Sequence, residues 1–284
     1  MNILMVDSMV KSKPFDNLKQ MISEYLIAKG ISNTELKEFE DDIPNKWEKF
    51  SDVILLPNSS FKNTRWSIYR NDLWGIISEA LMVKRIGING EIIGEKREST
   101  VDMVLGNNDW VVRKESGIKY GYMISKCMFS AGNINERKRM GDVGEKDEVV
   151  VDLYAGIGYY SIPMLVFSKI KHMHSCEWNE ESVKALEINL ESNNVTNGCT
   201  IHYGDNRVTT KNLFNMADRV ILGLLPSAEE GYIPALNVLK KIGILHIHGI
   251  APAKNHDKWI NETLQKLQEI RPEAEISESE RFRI

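Results

Sequence analysis

Apolar positions change period along this chain, and the changes mark its elements. Phe15, Leu18, Met21, Ile22, Tyr25 and Leu26 recur at three- and four-residue spacing, which predicts a helix over residues 14–28 ended by Gly30. Residues 2–6 read as a strand, and residues 52–57 as a buried strand stopped by Pro57. Residues 36–44 are acidic and read as exposed. Residues 73–82 form a short amphipathic helix, and residues 84–94 a turn-rich pair of strands. Residues 102–105 and 110–113 are further strands around a turn at 106–109, and residues 117–122 another. From residue 149 the pattern becomes regular. Strands at 149–152, 172–177, 200–206, 218–223 and 244–248 are interleaved with helices at 162–167, 181–190, 233–239 and 256–270. That alternation predicts an α/β, Rossmann-like parallel sheet behind a smaller N-terminal α+β domain, divided as 1–115 and 116–284.

The chain has 284 residues, 42% of them hydrophobic, which suits one large or two ordinary domains with a real core. Its net charge of −4 provides no global basic field, so a nucleic-acid contact must come from a local patch. Lys84, Arg85, Lys126, Lys138 and Arg139 are the candidates. The three cysteines, Cys127, Cys176 and Cys199, form no C-x-x-C pair, so neither a disulfide framework nor a zinc site is indicated. Alternation puts His172 with His174, and His246 with His248, on one face each. No carboxylate or cysteine falls at ligand spacing beside them, so they read as structural histidines and no metal is expected. No apolar run approaches the roughly 18 residues of a membrane span, and residues 1–6 lack a basic leader. The expectation is a cytoplasmic protein with no membrane partner. Nothing in the pattern sets an oligomeric state.

The chemistry concentrates where strands end. Val149-Val150-Val151-Asp152 runs into Leu153-Tyr154-Ala155-Gly156-Ile157-Gly158, a small turn before a helix. Glycines let a ligand approach the backbone, and a helix start offers N–H donors. The third glycine of the dinucleotide fingerprint is missing, because Tyr159 and Tyr160 follow Gly158. The second strand ends in Glu177, and the third in Asp205 and Asn206. A ligand at the strand C-termini would meet Asp152, Glu177 and Asp205 together. Glu177 suits ribose hydroxyls, Asp205 an adenine amine, and the Asn206 N–H a ring nitrogen. Ribose plus adenine without a pyrophosphate cradle favours S-adenosylmethionine over NAD; another nucleotide is the alternative. Upstream, Arg137-Lys138-Arg139 reads from spacing alone as a solvated helix start. The sharper possibility is that Ser130 and Arg137 reach the amino-acid part of the cofactor.

The second half, about residues 117–249, resembles the tRNA wybutosine-synthesizing protein 2 family, relatives of the tRNA guanosine-N1 methyltransferases. The stretches that carry the resemblance are Cys127-Met128-Phe129-Ser130 with Gly132, Asn133 and Glu136; Val151 to Tyr159; Cys176-Glu177-Trp178-Asn179; Gly204-Asp205-Asn206-Arg207; Asp218 to Ser227; and Ile244 to His248. The first half matches more loosely, at residues 52–57 and 73–85. The resemblance implies transfer of the 3-amino-3-carboxypropyl group of S-adenosylmethionine to the wyosine precursor at guanosine-37 of tRNA-Phe. It places cofactor contacts on Ser130, Arg137, Glu177, Asp205 and Asn206, beside Asp152 and Gly156 from the strand reading. Glu136, next in sequence to this cluster, is the candidate base; a helix-start carboxylate serving the dipole is its alternative. Methyltransferase relatives carry Asn-Leu-Pro or Asn-Pro-Pro after the fourth strand, where this chain has Gly223-Leu224-Leu225-Pro226. Without an amide, that loop suits stacking and burial of a bulky base. Two departures stand out: Ser125 replaces a usual Asp, and the acidic tail 273–280 lacks the extra hairpin strand of a seven-stranded methyltransferase sheet. A guanosine-N1 methyltransferase and a non-catalytic RNA-binding partner are the competing readings.

Overall fold

A computed structural model describes residues 13–95, 97–251 and 255–275. The strand expected at residues 2–6 and most of the acidic tail lie outside the described residues. The chain forms two compact units, residues 1–93 with 98–111, and residues 94–97 with 112–284.

In the first unit, α1 (Pro14–Ala28) and α2 (Asn33–Glu40) precede β1 (Glu48–Phe50) and β2 (Val53–Leu56); α3 (Arg70–Leu81), β3 (Arg85–Ile88), β4 (Ile92–Ile93), β5 (Glu98–Ser99) and β6 (Asp102–Leu105) follow. One sheet runs β1-β2-β3-β6, and β4 pairs with β5 separately. The predicted pair at 84–94 is therefore split: β3 joins β2 in parallel and β6 antiparallel, while β4 belongs to its own hairpin. The acidic segment at 36–44 is not simply exposed. Ser32 and Glu35 form a capping box that starts α2. Its inner face then buries Phe39 edge-on against Trp66, with ring centroids 4.9 Å apart, and Ile43 beyond the helix joins the same core. The acids occupy the outer face, which hid the helix behind its charge.

The second unit begins with β7 (Trp110–Glu115), most of whose residues belong to it, and β8 (Ile118–Met123), which pair as a two-stranded sheet. The turn at 106–109 thus joins strands of different sheets and is no hairpin. Then come α4 (Ile134–Asp142), β9 (Val149–Asp152), α5 (Ser161–Phe167), β10 (His172–Glu177), α6 (Glu180–Ser192), β11 (Cys199–Tyr203), α7 (Asn206–Thr209), β12 (Ala217–Leu222), α8 (Tyr232–Val238), β13 (Leu239–Ile247) and α9 (His256–Ile270). The strands form one parallel sheet in the order β11-β10-β9-β12-β13. Order reverses beside β9, and a ligand crevice belongs at that switch point. One face of the sheet packs Val151, Cys176, Val220 and Leu222 against α8 and α9; the other packs Val150, Met173 and Ile221 against α4 and α5. Buried Asn189 of α6 fixes β8: it accepts from Gly121 N at 2.6 Å and donates to Gly121 O and Ile157 O at 3.0 Å.

Candidate active site

The turn after β9 is shaped by what lies beneath it. Gly158 has φ +99°, and a Cβ there would sit 2.5 Å from Ile162 Cδ1 and 2.9 Å from Leu186 Cδ1. A side chain is excluded by both backbone and space. Below the turn, Asp152 has no solvent exposure. Its carboxyl accepts from Ser161 Oγ at 2.8 Å and from Tyr154 N at 3.2 Å, and Ser175 Oγ donates to Ser161 Oγ at 2.9 Å. Burial raises Asp152 to about 6 against those hydrogen bonds. The expectation that Asp152 would meet a ligand directly is corrected here: a carboxyl fully covered and bonded on both oxygens holds the turn from behind.

Glu177, at the end of β10, is half-buried at the rim. It accepts from Gly156 N at 2.7 Å, Trp178 N at 2.9 Å and Asn179 N at 2.8 Å. One carboxylate thereby joins the glycine turn to the start of α6, whose cap is Asn179. On the next strand, Gly204 N donates to Glu177 O at 2.9 Å, and Asp205 caps α7 by accepting from Arg207 N at 2.8 Å. The Arg207 guanidinium also bonds Asp205, at 2.6 Å, and Glu230 at 3.1 Å, and holds the Asp205 carboxyl below its usual range. Asn206 reaches back to Leu153 O at 2.9 Å. Gly156, Glu177, Asp205 and Asn206 are thus brought together along three adjacent strand ends.

Ser130 and Arg137 are joined to each other. Arg137 is 3% exposed; it donates to Ser130 O at 2.8 Å and to Glu115 of β7 at 2.5 and 2.9 Å. The fork expected to grip a cofactor carboxylate is closed instead on a carboxylate of the protein. The guanidiniums of Arg113 and Arg137 lie 4.9 and 4.7 Å from the Phe129 ring centroid, and Tyr122 stacks on that ring. Tyr159 covers Gly156 with its ring and donates to Met128 O, linking the glycine turn to this segment. Arg97, in the turn before β5, donates to Leu225 O and lies 3.2 Å from Met128 Sδ. Sequence reading missed it, since a lone arginine in a turn carries no signal of its own.

Glu136 is buried in α4. Arg139 bonds both its oxygens, at 2.6 and 2.8 Å, and His248 Nε2 lies 2.8 Å from Oε1. Burial opposes its charge, but Arg139 and His248 outweigh burial and hold it at about 2. So weak a base, with both oxygens occupied, is poorly matched to taking a proton near neutral pH, which corrects the expectation of Glu136 as the general base. Of the proposed basic patch, Lys84, Lys126 and Lys138 are exposed, but Arg85 is tied to Asp52, Asn108 O and Trp110 O, and Arg139 to Glu136.

The paired histidines are structural in their contacts. His174 Nδ1 lies 2.9 Å from His202 Nε2, and His246 Nε2 lies 2.6 Å from Arg219, itself paired with Glu148. Among the described residues, no group of three or more histidine, cysteine or acidic side chains is placed to hold a metal ion, and no helix is long and apolar enough to cross a membrane. Burial, then neighbouring His172 and His202, push His174 down to about 4; burial, then Arg219 and Arg139, push His246 down to about 3. The unfolded chain binds these protons from about pH 6.5 downward, so stability is lost as pH falls from there toward 4 and 3. Asp152 acts in the opposite sense, since its folded value is raised. The His174→Gln variant isolates the first effect: its urea midpoint should fall less between pH 7 and pH 5 than that of the parent. An equal or larger fall would contradict the assignment.

A glycine turn, a rim glutamate on the second strand and an Asp-Asn pair on the third, at the switch point of a parallel sheet, define a Rossmann-like nucleoside site. The sequence matches the TRM5/TYW2 methyltransferase domain over residues 111–277 and the TYW2 N-terminal domain over residues 24–109. The chain belongs to the TRM5/TYW2 methyltransferase family. It is 44% identical over 214 residues to the tRNA wybutosine-synthesizing protein 2 homolog of Rattus norvegicus, covering 74% of this chain and 48% of that protein. It is 37% identical over 271 residues to the tRNA wybutosine-synthesizing protein 2/3/4 of Arabidopsis thaliana, covering 95% of this chain and 27% of that one. The chain therefore spans about a quarter to a half of these two relatives. Among solved structures, P. horikoshii TYW2 in complex with MeSAdo superposes with a TM-score of 0.71 at 28% identity, covering 90% of this chain and 88% of that one.

Proposed function

We propose that this chain transfers the 3-amino-3-carboxypropyl group of S-adenosylmethionine to the wyosine precursor at guanosine-37 of tRNA-Phe, a step of wybutosine biosynthesis. The observation that carries this reading is the match of the N-terminal half to the TYW2 N-terminal domain in addition to the shared catalytic domain. The P. horikoshii TYW2 complex supports it, because MeSAdo is what remains of the cofactor once its carboxypropyl arm has left.

The residues fit the cofactor. Glu177 is fixed by three N–H donors beside the glycine turn, as an acceptor for ribose hydroxyls. Asp205 and Asn206 stand at the start of α7, just past the end of β11, for the adenine. When bound, the cofactor supplies a sulfonium whose attached carbons are open to in-line attack, and orientation selects which one reacts. Gly156, Glu177, Asp205 and Asn206 hold the nucleoside end. Ser130 lies on the segment that Arg137 and Tyr159 anchor, so Arg137 orients the amino-acid end through Ser130 and Phe129. The loop Gly223-Leu224-Leu225-Pro226 offers the target base an apolar surface. The protein is read as soluble and cytoplasmic, with Lys84, Lys126 and Lys138 meeting phosphates.

Label separates the alternatives. Precursor tRNA-Phe should gain radioactivity from carboxyl-labelled S-adenosylmethionine. Transfer from methyl-labelled cofactor alone would convert the reading into a guanosine-N1 methyltransferase, and tRNA binding without transfer of either label into a non-catalytic partner.

A further inference from the structure

We infer that His248 is a positioning residue that ties Glu136 of α4 to the end of β12 and thereby sets the loop at 223–227. Each ring nitrogen faces an acceptor. Nδ1 lies 3.3 Å from Leu222 O, and a carbonyl oxygen only accepts. Nε2 lies 2.8 Å from Glu136 Oε1. Glu136 is ionised, because Arg139 already bonds both of its oxygens, so it too only accepts. Glu136 and Arg139 of α4, Asp152 of β9, His246 of β13 and the ring face of Tyr160 are the groups that surround the His248 ring.

The ring's other contacts lead to the loop. Tyr160 stacks on His248 with centroids 4.8 Å apart and planes 9° apart. The same tyrosine closes over Gly223, where a Cβ would lie 2.8 Å from Tyr160 Cε2. His248 N donates to Leu222 O at 3.0 Å, and Ile250 N to Pro226 O at 3.2 Å. The segment after β13 therefore runs alongside residues 222–226 as their floor, and His248 pins that floor to α4. This also gives Glu136 a purpose that its weak basicity suits: it is the acceptor of the clamp. The inference rests on the proposed function only for the substrate that the loop faces.

Two measurements test it. Nitrogen-15 NMR of the full chain should show the His248 Nε2 resonance displaced by its hydrogen bond, and the Glu136→Leu variant should lose that displacement. In kinetics, His248→Phe keeps the stack on Tyr160 but removes both ring nitrogens. We expect kcat to fall at least tenfold for whichever group the wild type transfers, with cofactor affinity within twofold, and His248→Gln to recover part of the loss through its amide N–H. A His248 Nε2 resonance that the Glu136→Leu substitution leaves unchanged, or a His248→Phe kcat within twofold of wild type, would overturn the inference. A His248→Gln variant as slow as His248→Phe would do so too, leaving the ring a packing role only. Methyl transfer by the wild type would refute the proposed function and leave this result intact, and the NMR decides even for an inactive preparation.

Discussion

Replacing Glu115 by alanine should destabilise the second unit by roughly 3–5 kcal/mol, the range for breaking a buried ion pair from one side. The Glu115 side chain is 4% exposed and that of Arg137 3%. The pair is bidentate, so the alanine variant strands a guanidinium away from water with only Ser130 O as a described hydrogen-bond partner. In a unit of this size each kcal/mol moves the melting point by about 2–4 °C, so a fall of about 10 °C is expected in a thermal melt. The double variant Glu115→Ala/Arg137→Met should recover much of the loss, because it removes the orphaned charge as well. A single-variant loss below about 1 kcal/mol would mean that water reaches Arg137, and the account of the 128–130 segment as rigidly held would fail.

The Glu177→Ala variant should weaken S-adenosylmethionine binding by about 1.5–3 kcal/mol, the value of a hydrogen bond to a charged group. That corresponds to roughly ten- to more than a hundredfold in Kd. Two effects act together. The ribose acceptor is lost, and so is the carboxylate that gathers the N–H groups of Gly156, Trp178 and Asn179. Glu177→Gln keeps one acceptor oxygen and should fall between the two. Isothermal calorimetry reads this directly, and an unchanged Kd for the alanine variant would remove the ribose assignment. Asp152 offers the contrast. It lies behind the turn, so Asp152→Asn, which keeps the acceptor for Ser161, should cost less affinity than Glu177→Ala.

The second unit was the more legible part of the chain because its central strands, β9 and β12, are almost wholly buried and its first three strands read as runs ending in acids. β9, β10 and β12 stand within a residue of where the runs place them, β11 stops at Tyr203, three residues before its expected end, because Asp205 turns to cap α7, and α9 spans residues 256–270 as periodicity predicts. β13 starts five residues earlier than its apolar run, because Lys240, Lys241 and Gly243 interrupt the pattern. The first unit was harder. α2 hid behind its charged outer face, although the capping box at Ser32 and Glu35 was there to be read. Pairing within 84–105 depends on which strands meet across the sheet, and local pattern does not encode that.

At the site, the strand-end acids were visible but their orientations were not. Asp152 and Glu177 look alike in sequence; burial sends one inward to Ser161 and leaves the other at the rim. Arg137 and Glu136 were singled out for charge, yet each is held by a partner distant in sequence, Glu115 and His248. Such pairings arise only from the fold. That is why a charge run read as solvated, or as a ligand clamp, became an internal brace.

The central claim is the identity of the transferred group. Mass spectrometry of nucleosides from precursor tRNA-Phe, incubated with the chain and S-adenosylmethionine, measures it most directly. The account predicts a wyosine precursor heavier by one aminocarboxypropyl arm, with methylthioadenosine formed in equal amount. A product heavier by one methyl group, with S-adenosylhomocysteine formed instead, would contradict it.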